Sequence, residues 1–297
     1  MSEEAVSDAQ DVPADSKTIN FTLNLDRLRG RITNTLGEII ERVSIAIHSL
    51  DRAPDGEVFL DDVAYRVLVN SEPVLTNKSR INTRGWLLSV GLRDGIEGLL
   101  GFLQEIRFIA GLIRRQHASG PIEIKVAGTI TEVFERVKRE ELGKFDYLPL
   151  RERLSQISQT VECDVPFQTE LLSINQARNC LTHRGGVIGA EDVKEDPFHK
   201  TLIVRYLAPE LIYIDSTGME EVLKPGSIVR AGEVELRHQN TPRVKNFELG
   251  SRVDFSTQEF FDIVETMRLI GATFVDRLVQ RSQELGLWRD LSATKSS

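Results

Sequence analysis

The sequence predicts a mainly α protein: a helical bundle with a small antiparallel β-hairpin insert before its last helix. Three observations lead there. Apolar residues recur at steps of three and four through most of the chain, which lays them on single helix faces. β-rich runs are confined to one window at about 200–250. A helix start signal then opens the closing segment, where Ser256 and Glu259 have the spacing of a capping box.

The elements follow in order. Residues 1–18 are polar and acidic without hydrophobic period and are expected to form a disordered tail. Leu28, Ile32, Leu36, Ile39, Val43, Ile47 and Leu50 predict a helix from Leu25 to Leu50, with Arg27, Arg29 and Arg31 as a basic cluster at its start. The run VFLDDVAYRVLV fits a short helix or a strand equally well. Leu92, Ile96, Leu99, Leu103, Ile106, Ile109 and Ile113 predict a long helix from Thr83 to His117. Its glycines, Gly91, Gly95, Gly98, Gly101 and Gly111, weaken helix propensity and suit close helix approach or mild bending. Gly120-Pro121 marks a turn, and helices are expected over Val126–Glu141 and Leu150–Val161. Asp164-Val165-Pro166 reads as a cap followed by proline in the first turn of the next helix. Beyond Gly189, TLIVRYLA, ELIYID and EVELRH read as strands broken at Pro209-Glu210, Ser216-Thr217-Gly218, Pro225-Gly226 and Ala231-Gly232. In the last helix Phe255 and Phe260 are spaced as a hydrophobic staple, and Phe260, Ile263, Val264, Met267, Ile270, Phe274 and Leu278 form the buried stripe. The resulting organisation is one domain over residues 19–287 with a loose polar tail at 288–297.

Composition narrows the classes. The chain has 297 residues, is 40% hydrophobic and 28% charged, and so can bury a sizeable core. A net charge of −8 excludes a surface coated in basic charge for non-specific nucleic-acid binding, while leaving room for a local basic cleft. Two cysteines, Cys163 and Cys180, supply no disulfide framework and suit a reducing compartment. The acidic N-terminus has no signal-peptide pattern, and charges interrupt the most apolar stretch, Trp86 to Ile113. The expectation is a cytoplasmic protein that does not enter a membrane.

One stretch looks chemical: SINQARNCLTHRGGVIG, Ser173 to Gly189. On a helix starting near Phe167, the residues Phe167, Leu171, Ile174 and Leu181 share one face within roughly 80° of arc, and Arg178 falls inside it. A guanidinium in an apolar stripe is costly unless it is paired or reaches a cleft. Arg178 is therefore a structural ion-pair partner, or it faces a cavity or interface. His183 lies about 140° from Arg178 on an unbroken helix, so the two converge in one chain only if the helix ends or bends near Thr182. Gly185-Gly186 supplies an ending. The bland alternative is that His183 and Arg184 simply complement the negative end of a helix dipole.

Arg178-Asn179-Cys180-Leu181-Thr182-His183, an R-N-x-x-x-H pattern near a helix end, resembles the signature of the HEPN superfamily, and the hairpin region and closing helix after it resemble bacterial HEPN-like proteins. The resemblance covers about Leu150 to Leu285. It implies a HEPN-like bundle, a metal-independent endoribonuclease with no cofactor, and a role in toxin–antitoxin or phage-defence systems. It further implies a homodimer with a shared site, an RNA substrate, and an antitoxin or regulatory protein as a partner. In that reading His183 is the general base or acid, Arg178 the phosphate clamp and Asn179 a positioning group. A non-catalytic interaction or regulatory module is the alternative. Other candidates are weaker. His199 near Glu195 and Asp196 has no second histidine or cysteine at ligand spacing. Cys163 and Cys180 read as structural thiols, and Gly185–Gly189 lacks the lysine and hydroxyl of a phosphate loop. His48, His117 and Arg114-Arg115 read as helix-face or helix-end residues.

Overall fold

The computed structural model describes residues 24–53, 55–57, 74–119, 129–162, 164–193, 200–214, 217–223 and 235–287. Sequence expectations for the acidic tail, the 58–70 run, the Gly120-Pro121 turn, Cys163, the Glu195/Asp196/His199 group and the tail at 288–297 lie outside them. The order is α1 (Leu25–Arg52), β1 (Gly56–Glu57), β2 (Val74–Leu75), α2 (Asn77–Ser119), α3 (Ile130–Leu142), a 3-10 turn (Phe145–Tyr147), α4 (Leu150–Val161), α5 (Gln168–His183), β3 (Thr201–Ile214), β4 (Glu220–Val222), β5 (Glu235–Glu248) and α6 (Thr257–Glu284). The protein is mainly helical, with a three-stranded antiparallel sheet ahead of the last helix.

The bundle is organised on α2, whose 43 residues span about 65 Å at about 1.5 Å per residue. Its stripe is fully buried at Leu92, Ile96, Leu99, Leu103 and Ile106, and both α1 and α6 pack on it. Gly91 and Gly95 on this helix serve approach. A methyl group added at Gly91 would meet Phe260 Cζ and Val43 Cγ2, each at 2.7 Å, so α1 and α6 close on one point of α2. Gly101, by contrast, has nothing within 4 Å. α2 begins six residues before the expected Thr83. Its first turns are polar in sequence and are held by tertiary bonds instead. The Thr76 hydroxyl caps the Ser79 N–H at 3.2 Å, and Arg80 binds Asp55 and the carbonyls of Leu50 and Ala53 at the end of α1. The basic cluster at the start of α1 is tied down too, through Arg29–Asp276 and Arg31–Glu105.

Two expectations at element ends are corrected. α5 starts at Gln168, not Pro166, and Asp164 does not cap it: the N-cap position is Phe167, in left-handed conformation at φ 53°. Pro166 therefore sits in the turn before the helix. The expected break at Pro209-Glu210 is absent, because β3 runs unbroken for 14 residues and pairs with all of β5. The register explains why proline is tolerated. The N–H groups of Arg205 and Leu207 leave β3 on the side away from β5, and Pro209, two residues on, shares that side. On β5, Pro242 likewise turns its nitrogen to the open edge, where no ladder bond is lost. At about 3.4 Å per residue the ribbon is about 45 Å long.

The inner edge of β3 is sealed by side chains from two helices. The buried Ser173 hydroxyl on α5 accepts the Arg205 N–H at 2.9 Å and donates to the Glu170 carbonyl at 2.8 Å. The buried Thr266 hydroxyl on α6 accepts the Leu207 N–H at 2.8 Å and donates to the Asp262 carbonyl at 2.8 Å. The start of α6 is as the spacing predicts, with the reciprocal Ser256–Glu259 capping box formed and Phe255 and Phe260 both buried.

Thr266→Val keeps the shape and removes the acceptor, leaving the Leu207 N–H buried and unpaired; denaturant titration is expected to show a loss of about 1–3 kcal/mol. Gly91→Val is expected to cost about 1–3 kcal/mol through overpacking. Gly101→Ala, with open space around it, is expected to stabilise by up to about 1 kcal/mol. Equal effects at the two glycines would contradict the packing described.

Candidate functional site

α5 carries all three motif residues, and its burial explains their different surroundings. Leu171, Ile174, Ala177 and Cys180 face the core, and Arg178 stands at the rim of that face against α2. The Arg178 side chain is 17% exposed and pairs through Nη2 with Oε1 of Glu97 on α2, whose side chain is 54% exposed. Its Nη1 donates to Oδ1 of the adjacent Asn179 at 3.1 Å. Its Nε is buried and has no acceptor among the described residues. Burial, with the neighbouring positive charge of Arg93, lowers the Arg178 pKa. The ion pair answers how an arginine survives in an apolar stripe.

His183 is the last residue of α5 and is exposed, with no hydrogen bond or ion pair among the described residues. The helix does not break at Thr182. It stops after His183, where Gly185 and Gly186 adopt φ of 58° and 79° and the N–H groups of Arg184 and Gly186 both donate to the Cys180 carbonyl. His183 and Arg178 therefore leave the helix about 140° apart and about 7.5 Å apart along its axis. The structure joins Arg178 to Asn179 and does not bring His183 to them within one chain. Clefts among the described residues lie elsewhere. One, of about 450 Å³, is lined by Arg80, Arg84, Lys245, Phe255 and Glu259 among others, and one of about 90 Å³ by Ile113, His117, Arg281 and Leu285 among others.

Two polar clusters bring together partners that no sequence signal paired. Arg184, read as a helix-end charge, holds Asp192 with both prongs: Nε to Oδ2 at 2.8 Å and Nη2 to Oδ1. Asp192 is 2% exposed, accepts the Gly189 N–H at 2.9 Å, and its carbonyl takes Gln176 Nε2 at 2.5 Å. It belongs to an acidic run that reads as an ordinary loop. The pair fixes the turn after the motif and leaves Cys180 beneath it as an inert thiol, pushed up to about 11 by burial and by Asp192. The second cluster lies at the root of α6, where Lys245 pairs with Glu259 at 2.6 Å and Gln258 donates to Asp262 at 2.8 Å. Burial, with Glu259 and Asp262 nearby, pushes the Tyr206 hydroxyl up to about 12, and burial raises the Asp262 pKa.

Compared with known proteins, the chain matches no family model, no curated protein and no solved structure. Among the described residues, no helix is long and apolar enough to cross a membrane.

The neighbours His183 and Arg184 are expected to respond oppositely to truncation. Arg184→Ala strands a buried carboxylate and should cost about 3 kcal/mol or more, whereas His183→Ala, at an exposed position without partners, should stay within about 0.5 kcal/mol of the parent. Urea denaturation of both variants checks this.

Proposed function

We propose that the chain is a metal-independent endoribonuclease of HEPN type, acting as a homodimer whose two copies complete each other's site. The observation that supports it is the contrast along α5: Arg178 and Asn179 are joined and partly buried, while the His183 side chain stands at the surface with no partner among the described residues. A base that must reach a substrate is left free, and the group that must be aimed is held. On this reading the 140° divergence is met by the second copy, with His183 from one chain facing Arg178 from the other.

The chemistry is coherent for these side chains. An imidazole has an ordinary pKa of about 6.5 and can take the proton of an RNA 2′-hydroxyl near neutral pH. The 2′-oxygen then bonds to phosphorus as the bond to the 5′-oxygen breaks. The departing oxygen receives a proton, giving a 2′,3′-cyclic phosphate and a 5′-hydroxyl. Arg178 supplies donors to phosphate oxygens whose charge grows during the step. A toxin–antitoxin or phage-defence setting, with an antitoxin or regulatory protein as a partner, belongs to the same reading.

The Arg178–Glu97 pair favours a second reading, a non-catalytic interaction or regulatory module in which the motif pins α5 to α2. Incubation of the purified chain with labelled RNA in EDTA separates the two. The nuclease reading expects cleavage that His183→Ala lowers by about 10²–10⁴-fold without moving the thermal midpoint, and that Arg178→Ala also suppresses. Cleavage surviving both substitutions overturns it. The second reading expects no turnover, and a lowered midpoint in Arg178→Ala alone.

A further inference from the structure

Two arginines six residues apart are held in different ways. Arg184 grips the buried Asp192 with the outer edge of its guanidinium, Nε and Nη2 each reaching a separate carboxylate oxygen. That is the geometry of a permanent pair, since a planar fork of two parallel donors matches a two-oxygen acceptor. Arg178 meets Glu97 through Nη2 alone, and its Nε, on the same outer edge, is buried with no acceptor among the described residues. The inner side of this guanidinium is fixed, because Nη1 is held by Asn179 at 3.1 Å. Glu97 is the movable party: its side chain is 54% exposed against 17% for Arg178. A half-hydrated carboxylate thus holds one donor of an anchored fork whose second donor stays unused.

We infer that Glu97 is a gate on the outer edge of Arg178, a stand-in anion that an RNA phosphate displaces to bind across Nε and Nη2. This rests on the nuclease reading for the identity of the ligand and adds the regulation of its phosphate site. Removing the carboxylate charge frees the fork, so resting occupancy by Glu97 weakens RNA binding. Arg93, whose own partner is the adjacent Asp94 at 3.0 Å, adds positive potential beside the fork once Glu97 swings away.

The test uses the full chain with His183→Ala as background, so that bound RNA is not cut, and a fluorescein-labelled single-stranded RNA of mixed sequence in EDTA. Anisotropy titration is expected to show Glu97→Gln lowering the Kd about three- to tenfold, with Arg178→Ala cancelling the gain when the two are combined. A Kd that Glu97→Gln leaves unchanged or raises overturns the gate. A gain that persists without Arg178 overturns it too, since general charge would then explain it, and so does an absence of binding by all variants. The nuclease reading is judged separately, from cleavage by the chain with His183 intact. Cleavage there, with no tightening by Glu97→Gln, leaves the enzyme and removes the gate. Arg178-dependent tightening without cleavage keeps the gate and removes the enzyme.

Discussion

The inner edge of β3 is the constraint on which the arrangement around α5 depends. β3 is paired with β5 along its whole length on one side and with β4 only at Ile212–Ile214 on the other, so its first ten residues present a row of backbone N–H and C=O groups there, and burying them unpaired is costly. Two hydroxyls meet that demand at Arg205 and Leu207, one from α5 and one from α6. The sheet is thereby placed between the motif helix and the closing helix. Because Ser173 and Arg178 stand on the same rigid helix, the bond that docks the ribbon also fixes where the motif can be. The outer edge on β5 is left open, with Pro242 at its middle as a missing donor and charged residues beside it, a combination that discourages pairing with another strand.

α2 supplies the opposing wall. Its length lets a single helix touch α1, α3, α4, α5 and α6, so one apolar stripe organises most of the core. Glycine at Gly91, Gly95 and Gly271 lets side chains of neighbouring helices sit where a β-carbon would be. On the side of α2 that faces α5, Glu97 reaches across to pair with Arg178.

The long-range periodicity of the helices made the bundle legible, because stripes such as Leu92 to Ile113 and Phe260 to Leu278 are dictated by a single repeated step. The capping box at Ser256 was legible for a related reason: both partners lie within four residues. The start of α2 and the continuity of β3 were not. Arg80 reaches carbonyls nearly thirty residues away, and Pro209 is harmless only because of the side to which its nitrogen turns, a property of register rather than composition. At the candidate site, the anomaly of Arg178 in an apolar stripe was visible from angle alone. Its partner was not, since Glu97 precedes it by 81 residues. Asp192 was invisible for the opposite reason, because acidic loops are common and nothing local marks the one carboxylate that becomes buried.

The two arginines of the motif region show why geometry is needed to separate structural from chemical roles. Composition ranks Arg184 beside His183 as a helix-end cation and makes Arg178 the costly one. In the fold the order of commitment reverses. Arg184 is fully engaged with a buried acid and cannot leave it without stranding that acid, so it is committed to holding the turn after α5. Arg178 is engaged by one donor with a partner half in water, so solvent compensates the carboxylate when the pair opens, while the guanidinium, 17% exposed, still calls for an anion in its place. A residue that is anchored on one side, under-satisfied on the other and covered by an exchangeable anion has the properties a ligand-binding arginine needs. The same comparison separates the exposed His183 from it: the imidazole is on the last residue of α5, about 140° around the helix from Arg178, and the two do not meet within one chain.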